Sequence, residues 1–379
     1  MTSTPILEDS AAVLGDPGET DPPRLLFIVP AHDEEDHIEA CARSLLRQHY
    51  PSSACRVTVI VDNCRDATAA RARSAGAEVV ERCDPVRRGK PHAIAWALDH
   101  IEWKTFDAVV IVDADSVVDE GFAAGLALEA PLRGRAVQAY FSSSNEFENW
   151  LTRLAGVFTR VRYELVYPHK QRVGLNVPLT GNGMCLGTDL LAGTGWQAFS
   201  LTEDLELYAR WTAEGVPIRY ARNALLQSQE ARSLGQAASQ RARWATGRWR
   251  VLREWAGPLL TSTHIRWRQK LDALLELGLP SPALQVVLSI AAATGATRIP
   301  PPAKWPLVVL ALIPGLVHAK RAATVIGRHP QRVRTLVAFL MVPVYIAWRA
   351  GLALRTIMRE REVEWRRTQR HQGTSRRHR

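Results

Sequence analysis

Two carboxylates one residue apart, Asp113 and Asp115, close the stretch VVIVDADS (109–116). The run before them is apolar and β-branched, the pattern of a strand buried on both faces of a parallel sheet. An unpartnered carboxylate is costly to bury, so the pair belongs at the strand's exit, holding something. An Asp-x-Asp placed there can carry a diphosphate through a divalent ion. Mg²⁺ and Mn²⁺ are hard ions that take carboxylate and phosphate oxygens together. Other acids fall at equivalent places: LLFIV (25–29) runs on to Asp33 and Glu34, and RVTVIV (56–61) runs into Asp62. Open α/β sheets bind ligands outside the carboxyl ends of their strands. Acids gathered at one such edge repel one another unless they hold a cation or hydrogen-bond a polyol. Taken singly, each is also an ordinary loop acid or helix cap, and Asp66, facing Thr68, reads as a cap.

Two further stretches carry polar groups at defined spacing. TGNGMC (180–185) sets Asn182 between glycines, which lets backbone approach a ligand closely, although a plain tight turn fits the spacing equally well. In LTEDLELYARWTAEGV (201–216) Thr202 reads as a helix N-cap, with Glu203 and Asp204 in the first turn, where acids are favoured.

The elements that must position these groups follow from periodicity. After LLFIV, the residues Ile38, Cys41, Ala42 and Leu45 fall at helical spacing; after AEVVERC (77–83), Ile94, Ala97, Leu98 and Ile101 share one face; FDAVVIV (106–112) follows. Strand and helix alternating through about residue 255 predict a parallel, doubly wound α/β sheet. Neither GxGxxG after the first strand nor GxxxxGK[ST] anywhere is present, so dinucleotide and P-loop readings lack their phosphate cradle.

The chain has 379 residues, 46% of them hydrophobic, and a net charge of +10. That length allows one large domain with an appendage, or two domains. Residues 1–23 are acidic and contain proline; they read as a disordered tail without the charged and apolar regions of a signal peptide. Five cysteines without a CxxC pair argue against zinc or a disulfide framework and fit a reducing cytoplasm. Basic charge alone does not make a nucleic-acid binder: no reader motif is present and the Arg-rich end has little aromatic interleaving.

Seven stretches, VPAHDEE, VIVDNCRDAT, RGKPHAIAWAL, VDADS, TGNGMC, LTEDLEL and QRARW, occur in one order over residues 24–255. This order resembles the inverting family 2 glycosyltransferases of the GT-A fold. Within them it resembles the TED- and QxxRW-containing, membrane-associated subset that includes cellulose, hyaluronan and poly-N-acetylglucosamine synthases. The resemblance implies a Rossmann-like nucleotide-sugar-binding sheet and a UDP-sugar donor. Pro30, Ala31, Asp33, Glu34 and Asp62 would hold the uridine, with Asp33 standing where many relatives have Asn. Lys90 would sit near the nucleotide, Asp113 at the ribose or diphosphate, and Asp115 on a Mg²⁺ or Mn²⁺ ion that assists the leaving group. Asn182 would lie near the donor sugar or acceptor. Asp204, next to Glu203, would be the general base that takes the acceptor hydroxyl's proton, an effect of roughly 10²–10⁴-fold. In QRARW, Gln240 and Trp244 would face the acceptor and Arg243 would offset charge on the diphosphate; an amphipathic helix with snorkelling Arg and interfacial Trp fits the same residues.

Beyond Trp255 the pattern changes. Leu277–Ala296, Trp305–Ala319 and Leu336–Leu354 are apolar, but the first holds Pro280, Pro282 and Gln285, the second has 15 residues and the third carries Arg349. Crossing helices want about 20 apolar residues. Seven of the twelve Trp fall from Trp244 onward, which favours an interface. The loop from Lys320 to Arg334 and the end after Leu354, nine Arg against three Glu, are basic and expected to stay cytoplasmic. Two crossings, by the first two stretches, with the third interfacial or re-entrant, satisfy both. The expected organisation is therefore an acidic tail (1–23), a GT-A domain (24–255), a membrane-associated helical region (256–354) and a basic tail (355–379). With no N-terminal membrane helix, a single transfer to a glycan or lipid-linked saccharide, or a polymerase completed by partner subunits, is expected over a self-contained synthase. A polyprenyl-phosphate sugar synthase needs no base and would not need TED or QxxRW. A non-catalytic nucleotide-sugar-binding subunit would have lost one of the acids.

Overall fold

The computed structural model describes residues 21–279 and 281–358. Residues 1–20 and 359–379, most of the two expected tails, lie outside the described residues; the first four residues of the expected basic tail instead continue α14. Eight strands are present among the described residues: β1 Leu25–Ala31, β2 Cys55–Asp62, β3 Glu78–Arg82, β4 Ala108–Ile111, β5 Val117–Val118, β6 Ala136–Ser143, β7 Met184–Gly187 and β8 Ile218–Ser228. The helices in chain order are α1 Ile38–Leu46, α2 Thr68–Ser74, α3 Lys90–His100, α4 Phe122–Ala127, α5 Trp150–Arg160, α6 Tyr167–Arg172, α7 Thr188–Thr194 and α8 Glu203–Ala213. They continue as α9 Leu234–Thr261, α10 Trp267–Gly278, α11 Pro282–Ala296, α12 Lys304–Gly327, α13 Arg332–Phe339 and α14 Val342–Met358.

The chain divides into two compact units. The first takes the described residues up to Tyr140, Asn182–Trp196 and Ala221–Leu226; the second takes Phe141–Gly181, Gln197–Tyr220 and the residues from Gln227.

The first unit is built on the sheet, in the order β3-β2-β1-β4-β7-β6-β8-β5. β1 pairs parallel with β2 and β4, and β2 parallel with β3. Strands β1 and β4 are buried almost throughout, which is why they read as continuous apolar runs rather than alternating ones. Their parallel register brings the carboxyl ends of β1, β2 and β4 to one edge, as the sequence requires. The parallel expectation fails beyond β4: β7 runs antiparallel to β4 and β6 antiparallel to β7, so the sheet is mixed. The reason is local. β7 is the four-residue MCLG at the end of the TGNGMC stretch, short and fully buried, with no period to announce it.

The second unit is helical. Helix α5 begins at a full capping box, the Asn149 side chain accepting the N–H of Leu151 and Thr152 while Thr152 answers Asn149. It passes directly into a π-helical stretch, Val161–Val166, and then α6. Val157 and Val161 pack on Val325 and Ile326; Leu151 and Leu154 pack with Ala283 and Tyr345. The buried Lys170 of α6 donates to Asp272 Oδ2 (2.9 Å) and Glu276 Oε2 (3.0 Å) of α10. His329 Nδ1 accepts the N–H of Gln331, which leaves Nε2 to donate to the buried Glu146 at 3.0 Å.

Among the described residues, α12 alone is long and apolar enough to cross a membrane; α10 with α11, and α13 with α14, qualify only as bent pairs, the latter at 49°. The second apolar stretch is thus longer than it reads, because the helix runs on for 24 residues through Pro314 and the basic Lys320 and Arg321. The first is shorter, since α11 starts only at Pro282 and has 15 residues. The expected pair of crossings is therefore matched by one helix on length and composition. Trp305, Leu310 and Leu316 of α12 are exposed.

Candidate functional site

Within the first unit, β4 delivers Asp113 and Asp115 into a turn held by Lys90 and Asn182. Lys90, the first residue of α3, places Nζ 2.5 Å from Asp113 Oδ1. Asn182 Oδ1 accepts the N–H of Asp113 at 3.1 Å, and Asn182 Nδ2 donates to Ser116 Oγ at 2.8 Å. Asp115 Oδ1 accepts from Ser116 Oγ at 3.3 Å. Asp113 and Asp115 are half-buried.

The loops after β1 and β2 are knitted together by their acids. Asp33, at φ +53°, donates its N–H to Cys64 Sγ (3.2 Å) and accepts the N–H of Arg65 on Oδ1 (2.7 Å). Glu34 donates its N–H to Thr68 Oγ1 at 2.8 Å, and its carboxylate lies 3.3 Å from His37 Nδ1. Asp66 accepts from Thr68 N–H (3.0 Å) and from Glu35 N–H (3.1 Å): it faces Thr68 as the sequence suggests and ties in the other loop, but the N-cap position of α2 is Ala67, one residue later. Pro30 and Ala31 close β1. Asp62 is buried, and its Oδ1 takes Arg82 Nη1 at 2.6 Å and Asn63 Nδ2 at 2.9 Å. Sequence reading missed Arg82. The signal was its place at the end of an otherwise ordinary strand, where a buried cation calls for an acid.

A divalent ion at Asp115 fits the donor chemistry: carboxylate oxygens, partly open to solvent at a strand edge, beside an Asp113 already faced by Lys90. Asp33, Cys64 and Asp66 also bring ligand atoms within 4.8 Å of one another. That group suits a hard cation less well. Burial pushes the Cys64 thiol up to about 11, and both carboxylates are engaged in turning the two loops.

The second unit carries the remaining predicted residues. Thr202 stands at the N-cap position of α8, as expected, but its side chain makes no capping bond; Gly247 of α9 presses on it instead, leaving 2.4 Å between an added Cβ and Thr202 Cγ2. Helix α9 therefore packs against the start of α8, with Arg243 one turn before the contact. Glu203 is buried, and Asp204 Oδ1 accepts the N–H of Leu205 at 2.8 Å. Gly181, at φ +79°, faces this pair: a Cβ there would sit 3.4 Å from Asp204 Oδ2 and 3.9 Å from Glu203 Oε1. Beside it, the Thr180 and Tyr163 hydroxyls lie 2.9 Å apart. Burial pushes the Tyr163 phenol up to about 12, with the Asp204 charge acting in the same direction. Tyr163, which comes from the π-helical stretch, and Arg248, whose guanidinium feels the Asp204 charge, were not singled out from sequence. Gln240, Arg243 and Trp244 lie on α9; Arg241 stacks its guanidinium 4.9 Å from the Trp244 ring, and Arg243 Nε is buried without a hydrogen bond.

A family model described as glycosyltransferase like family 2 matches residues 22–247. The chain is 27% identical over 304 residues to the beta-monoglucosyldiacylglycerol synthase of Synechocystis sp. (strain ATCC 27184 / PCC 6803 / Kazusa), covering 76% of this chain and 61% of that protein. It is 24% identical over 236 residues to the probable glycosyltransferase YdaM of Bacillus subtilis (strain 168), covering 59% and 55%. The chain thus spans less than two thirds of the length of both curated relatives. Among solved structures, the mannosyltransferase PcManGT of Pyrobaculum calidifontis, in complex with GDP-Man and Mn²⁺, superposes with a TM-score of 0.51 at 17% identity over 92% of each chain. The likeness is one of fold, an α/β GT-A-like sheet.

Proposed function

This chain belongs to the glycosyltransferase-like family 2, and on that premise we propose that it is an inverting, divalent-metal-dependent enzyme moving a sugar from a UDP-sugar to an acceptor hydroxyl. The observation that carries the reading is the carboxyl edge of β4, where Asp113, faced by Lys90, and Asp115 offer a cation and two acids to a diphosphate. When bound, Mg²⁺ or Mn²⁺ supplies Lewis-acid help to the departing diphosphate. Asp115 would hold it, with Asp33, Glu34, Asp62 and the end of β1 (Pro30, Ala31) around the nucleoside.

In this reading the acceptor oxygen bonds to the anomeric carbon while the bond from that carbon to the diphosphate oxygen breaks, its electron pair leaving with the nucleotide. The acceptor's proton goes to Asp204. Attack opposite the leaving group inverts the centre and gives a β-linkage from an α-linked donor. Arg243 offsets charge on the diphosphate, and Gln240 and Trp244 line the acceptor side. The apolar α12 and the likeness to a glycolipid synthase favour an acceptor carried on lipid at the cytoplasmic membrane face. A polymer product would call for partner subunits.

The test is a panel of UDP- and GDP-sugars given to purified protein with Mn²⁺, Mg²⁺ or EDTA, followed by product mass and anomeric configuration. Release of UDP only with metal, a β-linked product, and a loss of about 10²–10⁴-fold in Asp204→Asn support the reading. A retained anomeric configuration, or full activity in folded Asp204→Asn, would overturn it.

A further inference from the structure

The carboxamide of Asn182 is engaged at both ends within the sheet unit, and the directions of its bonds are fixed by chemistry. The N–H of Asp113 can only donate, so the atom facing it at 3.1 Å is Asn182 Oδ1. Nδ2 then points to Ser116 Oγ at 2.8 Å and donates. A hydroxyl has one proton; with Ser116 accepting from Asn182, that proton is directed to Asp115, whose Oδ1 lies 3.3 Å away and can only accept. The Asn182 backbone is fastened as well: its main-chain carbonyl accepts Gln138 Nε2 at 2.8 Å, and Gln138 Nε2 also donates to Ala139 O at 3.1 Å. Asn182 is 7% exposed, and Ser116 and Gln138 are fully buried. Gly183, at φ +67° and with Leu226 Cδ2 2.2 Å from where a Cβ would stand, sets the approach of this loop.

We propose that Asn182 is a positioning residue that fixes the Asp113–Ser116 turn, and through Ser116 the orientation of the Asp115 carboxylate, for a divalent cation carrying a nucleoside diphosphate. This role replaces the place near the donor sugar or acceptor that the family resemblance implies for it. Aspartate at this position could accept from Asp113 but not donate to Ser116, and an aliphatic residue would leave the Asp113 N–H without its partner. The proposal rests on the metal-dependent reading above.

Mn²⁺ binding, read from the free-ion EPR signal with UDP present, tests it beside steady-state kinetics with Asn182→Ala and Ser116→Ala. Loss of a partner behind a metal ligand typically weakens the metal by about 10–100-fold. That range is expected for Asn182→Ala and a smaller weakening for Ser116→Ala, with acceptor KM unchanged in both. A raised acceptor KM with unchanged Mn²⁺ affinity, or no change in either, overturns the proposal. Should Asn182→Ala not fold, Ser116→Ala decides by the same criteria. Asp115→Ala separates the two levels: if it binds Mn²⁺ like the parent, the metal-dependent reading itself falls, whereas metal loss there with none in Asn182→Ala and Ser116→Ala removes only the role of Asn182.

Discussion

Arg82 and Asp62, the last residues of two adjacent parallel strands, face each other across 2.6 Å with 5% and 4% of their surfaces exposed. Arg82 also donates to Asp84 Oδ2 (2.9 Å) and to the Arg87 carbonyl (2.6 Å). Removing one member of a buried pair leaves the other uncompensated, at a cost of about 3–5 kcal/mol. Arg82→Met is expected to lose stability in that range in urea unfolding. Arg82→Met with Asp62→Asn should recover part of it, because the orphaned charge is gone. Equal losses in the single and double variants would mean that the pair is not coupled.

Gly181 and Gly183 differ in what a side chain would meet. Both have positive φ, which costs other residues roughly 1–2 kcal/mol. At Gly183 a Cβ would also lie 2.2 Å from Leu226 Cδ2 and 2.9 Å from Ala139 Cβ. Gly183→Ala is expected to cost roughly 2–5 kcal/mol in all. At Gly181 the nearest atom, Asp204 Oδ2 at 3.4 Å, is in ordinary contact. Gly181→Ala should therefore cost only the roughly 1–2 kcal/mol of its backbone conformation, less than Gly183→Ala, yet, on the role proposed for Asp204, lose activity out of proportion because its methyl covers that carboxylate. Thermal melts and turnover on the same preparations give the comparison.

Burial raises Cys185 to about 12, and Cys55 and Cys64 to about 11. Unfolded thiols ionise near 8.5. Between these values the unfolded chain has released protons that the folded chain retains, so stability is present in full below about 8.5 and falls as pH rises through 11. Urea midpoints are expected to drop over that window, and less steeply in Cys185→Ala. A midpoint independent of pH from 8.5 to 11 would contradict the burial of these thiols. At neutral pH a thiol reagent should find the exposed Cys83 first and reach Cys41 and Cys185 only on unfolding.

The parallel half of the sheet was legible in the sequence because burial there is nearly continuous. β1, β2 and β4 announce themselves as apolar runs, and their acids mark where the chain leaves the sheet. Helix α8 was equally plain, since Thr202, Glu203 and Leu205 combine a cap position, a first-turn acid and helical spacing. The antiparallel half was opaque: β7 has four residues and β5 two, too few to show a period. Pairwise relations were opaque as well. Nothing local ties Arg82 to Asp62, Asn182 to Ser116 or Gly247 to Thr202, because each bond joins residues 20 or more positions apart whose partner is chosen by the tertiary fold.

The stretch Val161–Val166 works as a change of phase in a screw thread. Its wider winding slips the turn by part of a residue's rotation, and each residue of an α-helix advances the face by about 100°. Upstream of it, Val157 looks toward Val325 and Ile326; downstream, Lys170 looks toward Asp272 and Glu276. The same number of residues wound as plain α-helix could satisfy one of those two directions but not both. The irregular winding is thus what lets a single continuous rod keep two differently aimed appointments.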